Sequence, residues 1–181
     1  MKLKRIICAP DSFKESMSAL EAARAMARGV HRVFPDVDCV LVPMADGGEG
    51  TAETLVDALG GEMVSVECVD ALGRAHSAEY GIVSERKLAV IEMAAASGLA
   101  QIAPAERRIL EATTYGVGEL ILDALDRGAR TFILGIGGSA TNDAGAGMAA
   151  ALGVKFLDSA GKQLPLGGGA LARLAQIDLT G

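Results

Sequence analysis

The sequence predicts an α/β protein: a Rossmann-like parallel sheet in a three-layer arrangement, joined to a mixed or antiparallel section that belongs to a second α/β domain. Three observations predict it. Residues 4–59 alternate short apolar runs with helical patterns in the order β-α-β-α, with short connections. Residues 62–93 hold strand-like runs with no helix between them. Glycine makes up 23 of 181 residues, against a usual share of ~7%, and gathers at 47–50, 135–147 and 167–169. The expected division is a segment 1–60 of a discontinuous Rossmann-like domain, followed by a region 61–181 with a mixed sheet and a glycine-rich loop.

The elements follow in order. KRIICA (4–9) is a short apolar run ended by Pro10 and reads as a buried strand. Ser18 and Glu21 form a capping box that opens a helix. Leu20, Ala23, Ala27, Val30 and Phe34 give its stripe, and Pro35 ends it. Arg24, Arg28, His31 and Arg32 lie off that stripe as a solvated face. DCVLVP (38–43) is a second buried strand. A helix with Leu55, Val56 and Leu59 follows and stops at Gly60 and Gly61. EMVSVECV (62–69), HSAEYGIV (76–83) and KLAVIEM (87–93) form the antiparallel section. Residues 94–112 read as loop with a short helix. Thr113 or Thr114 caps the next helix, which carries Val117, Leu120, Ile121, Ala124 and Leu125 and ends at Gly128. TFILG then leads into GIGGSATNDAGAG and an alanine-rich helix closed by Gly153. VKFLD (154–158) is one more strand, and PLGGGALARL leads into a helical pattern. The sequence stops at IDLTG without a terminating feature, which reads as a cut.

Composition excludes several classes. Half the residues are apolar, aromatics are 3% and the net charge is −6. Without basic clusters or aromatic platforms, nucleic acid is not an expected partner. No stretch approaches the ~18 apolar residues of a membrane span, and the apolar run before Pro10 is too short for a signal peptide. Cys8, Cys39 and Cys68 are far apart and without metal-ligand spacing, so they read as reduced thiols of a cytoplasmic protein.

The chemistry concentrates in loops after strands. APDSFK (9–14), MADGGEGT (44–51) and GIGGSATND (135–143) each place an aspartate past an apolar run: Asp11, Asp46 and Asp143. Ligands of open α/β sheets bind outside the C-terminal strand ends, where such loops converge. Glycine admits backbone N–H groups close to an anion at a helix N-terminus. Carboxylates, such glycines and Lys14 are what phosphoryl transfer to a hydroxyl requires. Each feature also has a plain structural reading. Asp11 and Asp46 can close Asx turns, Lys14 can be solvated, and Ser12, Ser139 and Thr141 can satisfy local backbone. Glu49 suits a helix start. Glu92, at the end of an apolar run, is either exposed or in the site. His31 and His76 read as surface residues, and Tyr115, Arg107 and Arg108 carry no assignment. No G-x-x-x-x-G-K-[ST] motif is present. Gly135 to Ala140 does fit G-x-G-x-x-G/A, with Asp158 past the next strand-like run, so a nicotinamide-dependent oxidoreductase is the rival reading.

APDSFKESMSALEAA, VPMADGGEGTAETLV, IEMAAASGL, TTYGVGELILDAL and GIGGSATNDAGAGMAAALG, in this order, resemble successive signature stretches of bacterial glycerate kinases of the glycerate 2-kinase type. The resemblance spans the chain but only the N-terminal half of such enzymes. It implies the glycerate kinase fold, with an active site between two α/β domains. The activity implied is ATP- and Mg²⁺-dependent phosphorylation of D-glycerate, at C2 in preference to C3. An inactive N-terminal fragment is a further alternative. Carried over, Asp11, Ser12 and Lys14 match the first loop, and Asp46, Gly47, Gly48 and Glu49 the second. Gly137, Gly138, Ser139, Thr141, Asn142 and Asp143 match the third. The implied roles are catalysis by Asp46, Asp143 and Lys14, Mg²⁺ at Asp46 and Asp143, and substrate or phosphate binding by the others. Assembly as a homodimer is left open. Two departures stand out. Arg107-Arg108-Ile109-Leu110 replaces an expected R-N-P-L stretch, and Ala144 stands where glycine is common, a small change if its φ is negative.

Overall fold

A computed structural model describes residues 3–13, 16–48 and 50–180. The chain forms an α/β architecture with both parallel and antiparallel strand pairs. β1 (Arg5–Cys8) and β2 (Asp38–Leu41) pair in parallel through helix α1 (Ala19–Val33). The capping box is present: Ser18 Oγ accepts from Glu21 N at 3.2 Å, and Glu21 Oε2 accepts from Ser18 N at 2.9 Å. α1 meets the strands through alanines, with Ala23, Ala27 and Cys8 forming a small core flanked by Ile6 and Cys39.

Neither strand of this pair is buried as expected. Ile7 is 63% exposed, and Leu41 and Val42 are also exposed. The helical stripe stops short of its bulky members as well. Phe34 stays open and, with Val33 off the stripe, lines an apolar groove with Ile6, Ile7 and Met26. The reason is that one small-residue helix covers only one face of two short strands.

A second sheet has the order β3-β4-β5-β6. β3 (Glu62–Val69), β4 (Ala75–Val83) and β5 (Leu88–Glu92) are antiparallel neighbours, and β6 (Thr131–Gly135) pairs in parallel with β5. Both faces of its inner strands are covered, while Met63 of β3 and Ile133 and Leu134 of β6 stay exposed. On one side α2 (Thr51–Leu59) packs Ala52, Leu55 and Leu59 on Val83, Leu88 and Val90. On the other, α3 (Met93–Ser97) and α4 (Tyr115–Asp126) contribute Ala96, Val117, Leu120, Ile121 and Ala124 to the main core. A Cβ at Gly81 would collide with Val56 Cγ2, so α2 sits directly on the sheet. The three layers therefore form around the mixed sheet. α2 packs on that sheet.

The core is chemically quiet. Fully buried Tyr80 donates to Asp123 Oδ2 at 2.8 Å, and burial pushes its phenol well above the usual range. Burial likewise pushes the Cys68 thiol up to about 11, and all three cysteines are free.

Helix α5 (Ala146–Ala151) is short. β7 (Lys155–Leu157) pairs antiparallel with β8 (Gln176–Asp178), a strand at IDLTG that the sequence did not signal. Among the described residues no helix is long and apolar enough to cross a membrane.

Candidate functional site

The first two loops meet because β1 and β2 run in parallel. Met44 N donates to Pro10 O at 2.9 Å. Asp11 is exposed and its Oδ1 accepts from Ser12 N at 2.6 Å. Asp11 and Ser12 border a cavity shared with Arg24, Met44, Gly50 and Thr54. Lys14 and Glu49 lie outside the described residues.

The second and third loops are in backbone contact. Gly137 N donates to Gly47 O at 3.2 Å. A Cβ on Gly135 would stand 2.6 Å from Gly47 O, and one on Gly137 would stand 2.9 Å from Gly48 Cα. These glycines are glycine because another glycine loop occupies the space. That changes the expectation that they open a path for a ligand's anion. Asp46 sits on the rim of this junction, exposed, with Oδ1 accepting from Gly48 N at 2.9 Å. The Asx turn that Asp46 can close is thus present, and it engages one oxygen of an exposed carboxylate.

Asp143 is turned inward. It is 1% exposed, and its carboxylate accepts from Thr114 N at 2.9 Å, Gly147 N at 3.0 Å and Gly145 N at 3.1 Å. Thr114 Oγ1 adds a bond at 3.0 Å and Thr113 Oγ1 one at 3.4 Å. The Thr114 hydroxyl in turn accepts from Met148 N at 2.9 Å, and that of Thr113 from Tyr115 N at 3.2 Å. The anion at the N-terminus of α5 is therefore a side chain of the protein, which also grips the start of α4. A carboxylate satisfied in this way would have to abandon buried donors to hold a metal ion or meet a reacting group.

The rest of the third loop is pinned along residues 97–99. Ala140 N donates to Ser97 O at 2.8 Å, and Leu99 N to Gly138 O at 2.9 Å. Ser139 Oγ and Thr141 Oγ1 lie 2.8 Å apart, and Thr141 N donates to Ser139 Oγ at 3.0 Å. Both side chains are half-buried, while Gly138 is exposed with φ +71°. Asn142 is exposed, and its Oδ1 occupies the space a Cβ on Gly168 would need. The third glycine cluster thus closes on the second as the second closes on the first. Ala144 has φ +52°, so its replacement of glycine is not the small change it would be at negative φ.

Glu92 and the Thr113–Thr114 pair are what sequence reasoning undervalued. Glu92 ends β5 beside Gly135, and its Oε1 accepts from Ala52 N at 2.8 Å in the first turn of α2. Two adjacent threonines before a helix are more hydroxyl than one cap needs, and that was the available signal.

The dinucleotide reading fails on topology. β7 lies in a separate sheet, and Asp158 spends Oδ1 on Ala160 N and Lys162 N, both at 2.9 Å. Ten positions separate the strand end from α5 where a tight turn is required.

The comparisons agree with this arrangement. The model of the glycerate kinase family matches residues 6–181. The chain is 54% identical over 178 residues to a glycerate kinase of Halalkalibacterium halodurans, covering 98% of this chain and 47% of that protein. It is 51% identical over 178 residues to the glycerate 2-kinase of Escherichia coli, covering 98% and 46%. The crystal structure of a Salmonella typhimurium LT2 protein assigned as glycerate kinase 2 superposes with a TM-score of 0.88 at 50% identity, covering 98% of this chain and 48% of that one. The chain belongs to the glycerate kinase family, and it spans about half the length of the relatives it matches.

The donor set can be tested against the groups the family implies. Among the described residues no group of three or more His, Cys, Asp or Glu side chains gathers to hold a metal ion. Mg²⁺ in kinases needs only one or two carboxylates beside substrate phosphates and water. Asp46, an exposed carboxylate, fits that need.

Proposed function

We propose that this chain carries the phosphate-side wall of a glycerate kinase site. The reaction is transfer of the γ-phosphoryl of ATP to a hydroxyl of D-glycerate in the cytoplasm, favouring 2-phosphoglycerate over 3-phosphoglycerate. The observation that carries this reading is the fusion of the 44–48 and 135–138 loops, which holds Asp46 outward beside the strand ends of a family member. The names of the relatives supply the substrate class.

In this reading Asp46 holds Mg²⁺ or orients the accepting hydroxyl. The bound ion would neutralise charge on the transferred phosphoryl. Exposed Gly138 and the hydroxyls of Ser139 and Thr141 contact phosphate, while Asp11, Ser12, Gly47, Gly48, Gly137 and Asn142 shape the cleft. Lys14 supplies positive charge. Asp143 acts from inside by fixing the third loop. The unit Arg5–Leu41, with its open apolar face, is one part of a discontinuous domain, and the break falls in residues 42–50.

The test is ADP release with D-glycerate and Mg·ATP, with the product identified by its direct consumption by enolase. Asp46→Asn keeps the acceptor for Gly48 N and removes only the charge. It should lower kcat/KM by about 10²-fold or more. A loss under about tenfold, roughly 1.4 kcal/mol, would remove Asp46 from the reacting centre. A folded chain that releases no ADP would overturn the reading.

A further inference from the structure

We infer that Glu92 is a positioning residue, the strut that holds the Asp46 loop in register with the glycine loop after β6; this rests on the proposed kinase reading. Among the described residues the two loops meet through glycine backbone, by the bond from Gly137 N to Gly47 O and the close approach of Gly135 to Gly47. Such a contact has no side chains to lock it against sliding. Something else must fix the helix that the Asp46 loop runs into.

Glu92 does so. It is the last residue of β5 and the register partner of Gly135, so its backbone belongs to the same sheet end that launches the glycine loop. Its carboxylate crosses to α2, where Oε1 accepts from Ala52 N. α2 begins at Gly50, a left-handed N-cap without a side chain to accept from the first turn. Glu92 supplies that missing acceptor from a distant strand, with the sign of charge that a helix N-terminus favours. The first turn is tied back to the Asp46 loop, since Thr51 Oγ1 donates to Gly48 O at 2.7 Å and Gly48 N donates to Asp46 Oδ1. The connections close a ring: Asp46, Gly48, Thr51 and Ala52, Glu92, Gly135, Gly47. The ring sets where the exposed carboxylate of Asp46 stands relative to Gly138. With Glu92 Oε1 committed to Ala52 N, that oxygen serves geometry.

The strut predicts a split between two substitutions. Glu92→Gln keeps an oxygen acceptor, whereas Glu92→Ala removes it. In the wild type, amide exchange at Ala52 and Gly48 should be slow. Glu92→Ala should speed both and lower kcat/KM about 10²-fold, the scale on which a misplacement of about 1 Å acts. Glu92→Gln should keep both amides slow and kcat/KM within about tenfold. A merely structural role would lower the Tm without singling out Ala52 and Gly48. Two results would overturn the inference: Glu92→Gln losing as much activity as Glu92→Ala, or Glu92→Ala leaving both amides protected. If the folded wild type releases no ADP with glycerate, the kinase reading falls, and the exchange of Ala52 and Gly48 still decides whether Glu92 is the strut.

Discussion

The β1–β2 unit and the four-stranded unit are built from similar sequence, short apolar runs between helical patterns, yet they end in different states. β5 reads LAVIE, and its apolar residues are buried because α2 covers one face and α3 and α4 the other. β1 reads RIIC and, among the described residues, packs against one helix, α1, and Ile7 stays open. An apolar run therefore states that a strand can be buried, while burial itself depends on how many layers the rest of the chain provides. The two units also differ in how their acids are used. Asp11 and Asp46, on the loops that follow β1 and β2, are exposed, whereas Asp143, on the loop after β6, is sealed inside.

The contrast in the acids gives the largest expected effect. Asp143→Ala strands the N–H groups of Thr114, Gly145 and Gly147 and should cost about 3 kcal/mol or more in urea unfolding. Asp46→Ala, on the exposed loop, should cost less than about 1 kcal/mol. Equal costs would break the distinction between internal and outward aspartates.

The contrast in layers comes next. Leu120→Ala, at a fully buried position of α4, should destabilise by about 2–5 kcal/mol. Ile7→Ala should change stability by no more than about 0.5 kcal/mol. A cost at Ile7 approaching that at Leu120 would mean that the open face of β1 is covered in solution.

The smallest effect sharpens the comparison within the glycine loop. Ala144→Gly relieves a left-handed backbone and should raise stability by about 1 kcal/mol, read as a Tm increase of a few degrees. An unchanged or lower Tm would show that the loop tolerates alanine there without strain.

Much of the local structure was legible because a few adjacent residues decide it. The Ser18–Glu21 box, the stop of α2 at Gly60 and the antiparallel section all follow from short-range pattern. The Asp46 and glycine loops do meet, but β2 and β6 lie in different sheets, so strand direction alone did not dictate it. The inward turn of Asp143 was not legible, because its partners Thr113 and Thr114 belong to another helix start. Nor was the use of Glu92, whose partner Ala52 is 40 positions away. β8 was missed because three residues beside a chain end carry too little periodicity.

The sequence by itself determined the α/β order, the placing of loops after strands and the family to which the chain belongs, since propensity, capping and motif all act over a few residues. Only the tertiary structure decided what each glycine and each acid is for. Gly135 and Gly137 admit Gly47 and Gly48; Asp143 satisfies two helix starts; Asp46 remains outward. The physical reason is that a missing Cβ or a carboxylate is only a capacity for close approach or for accepting protons. Which backbone or donor meets it is set by segments distant in sequence that the sheet brings together.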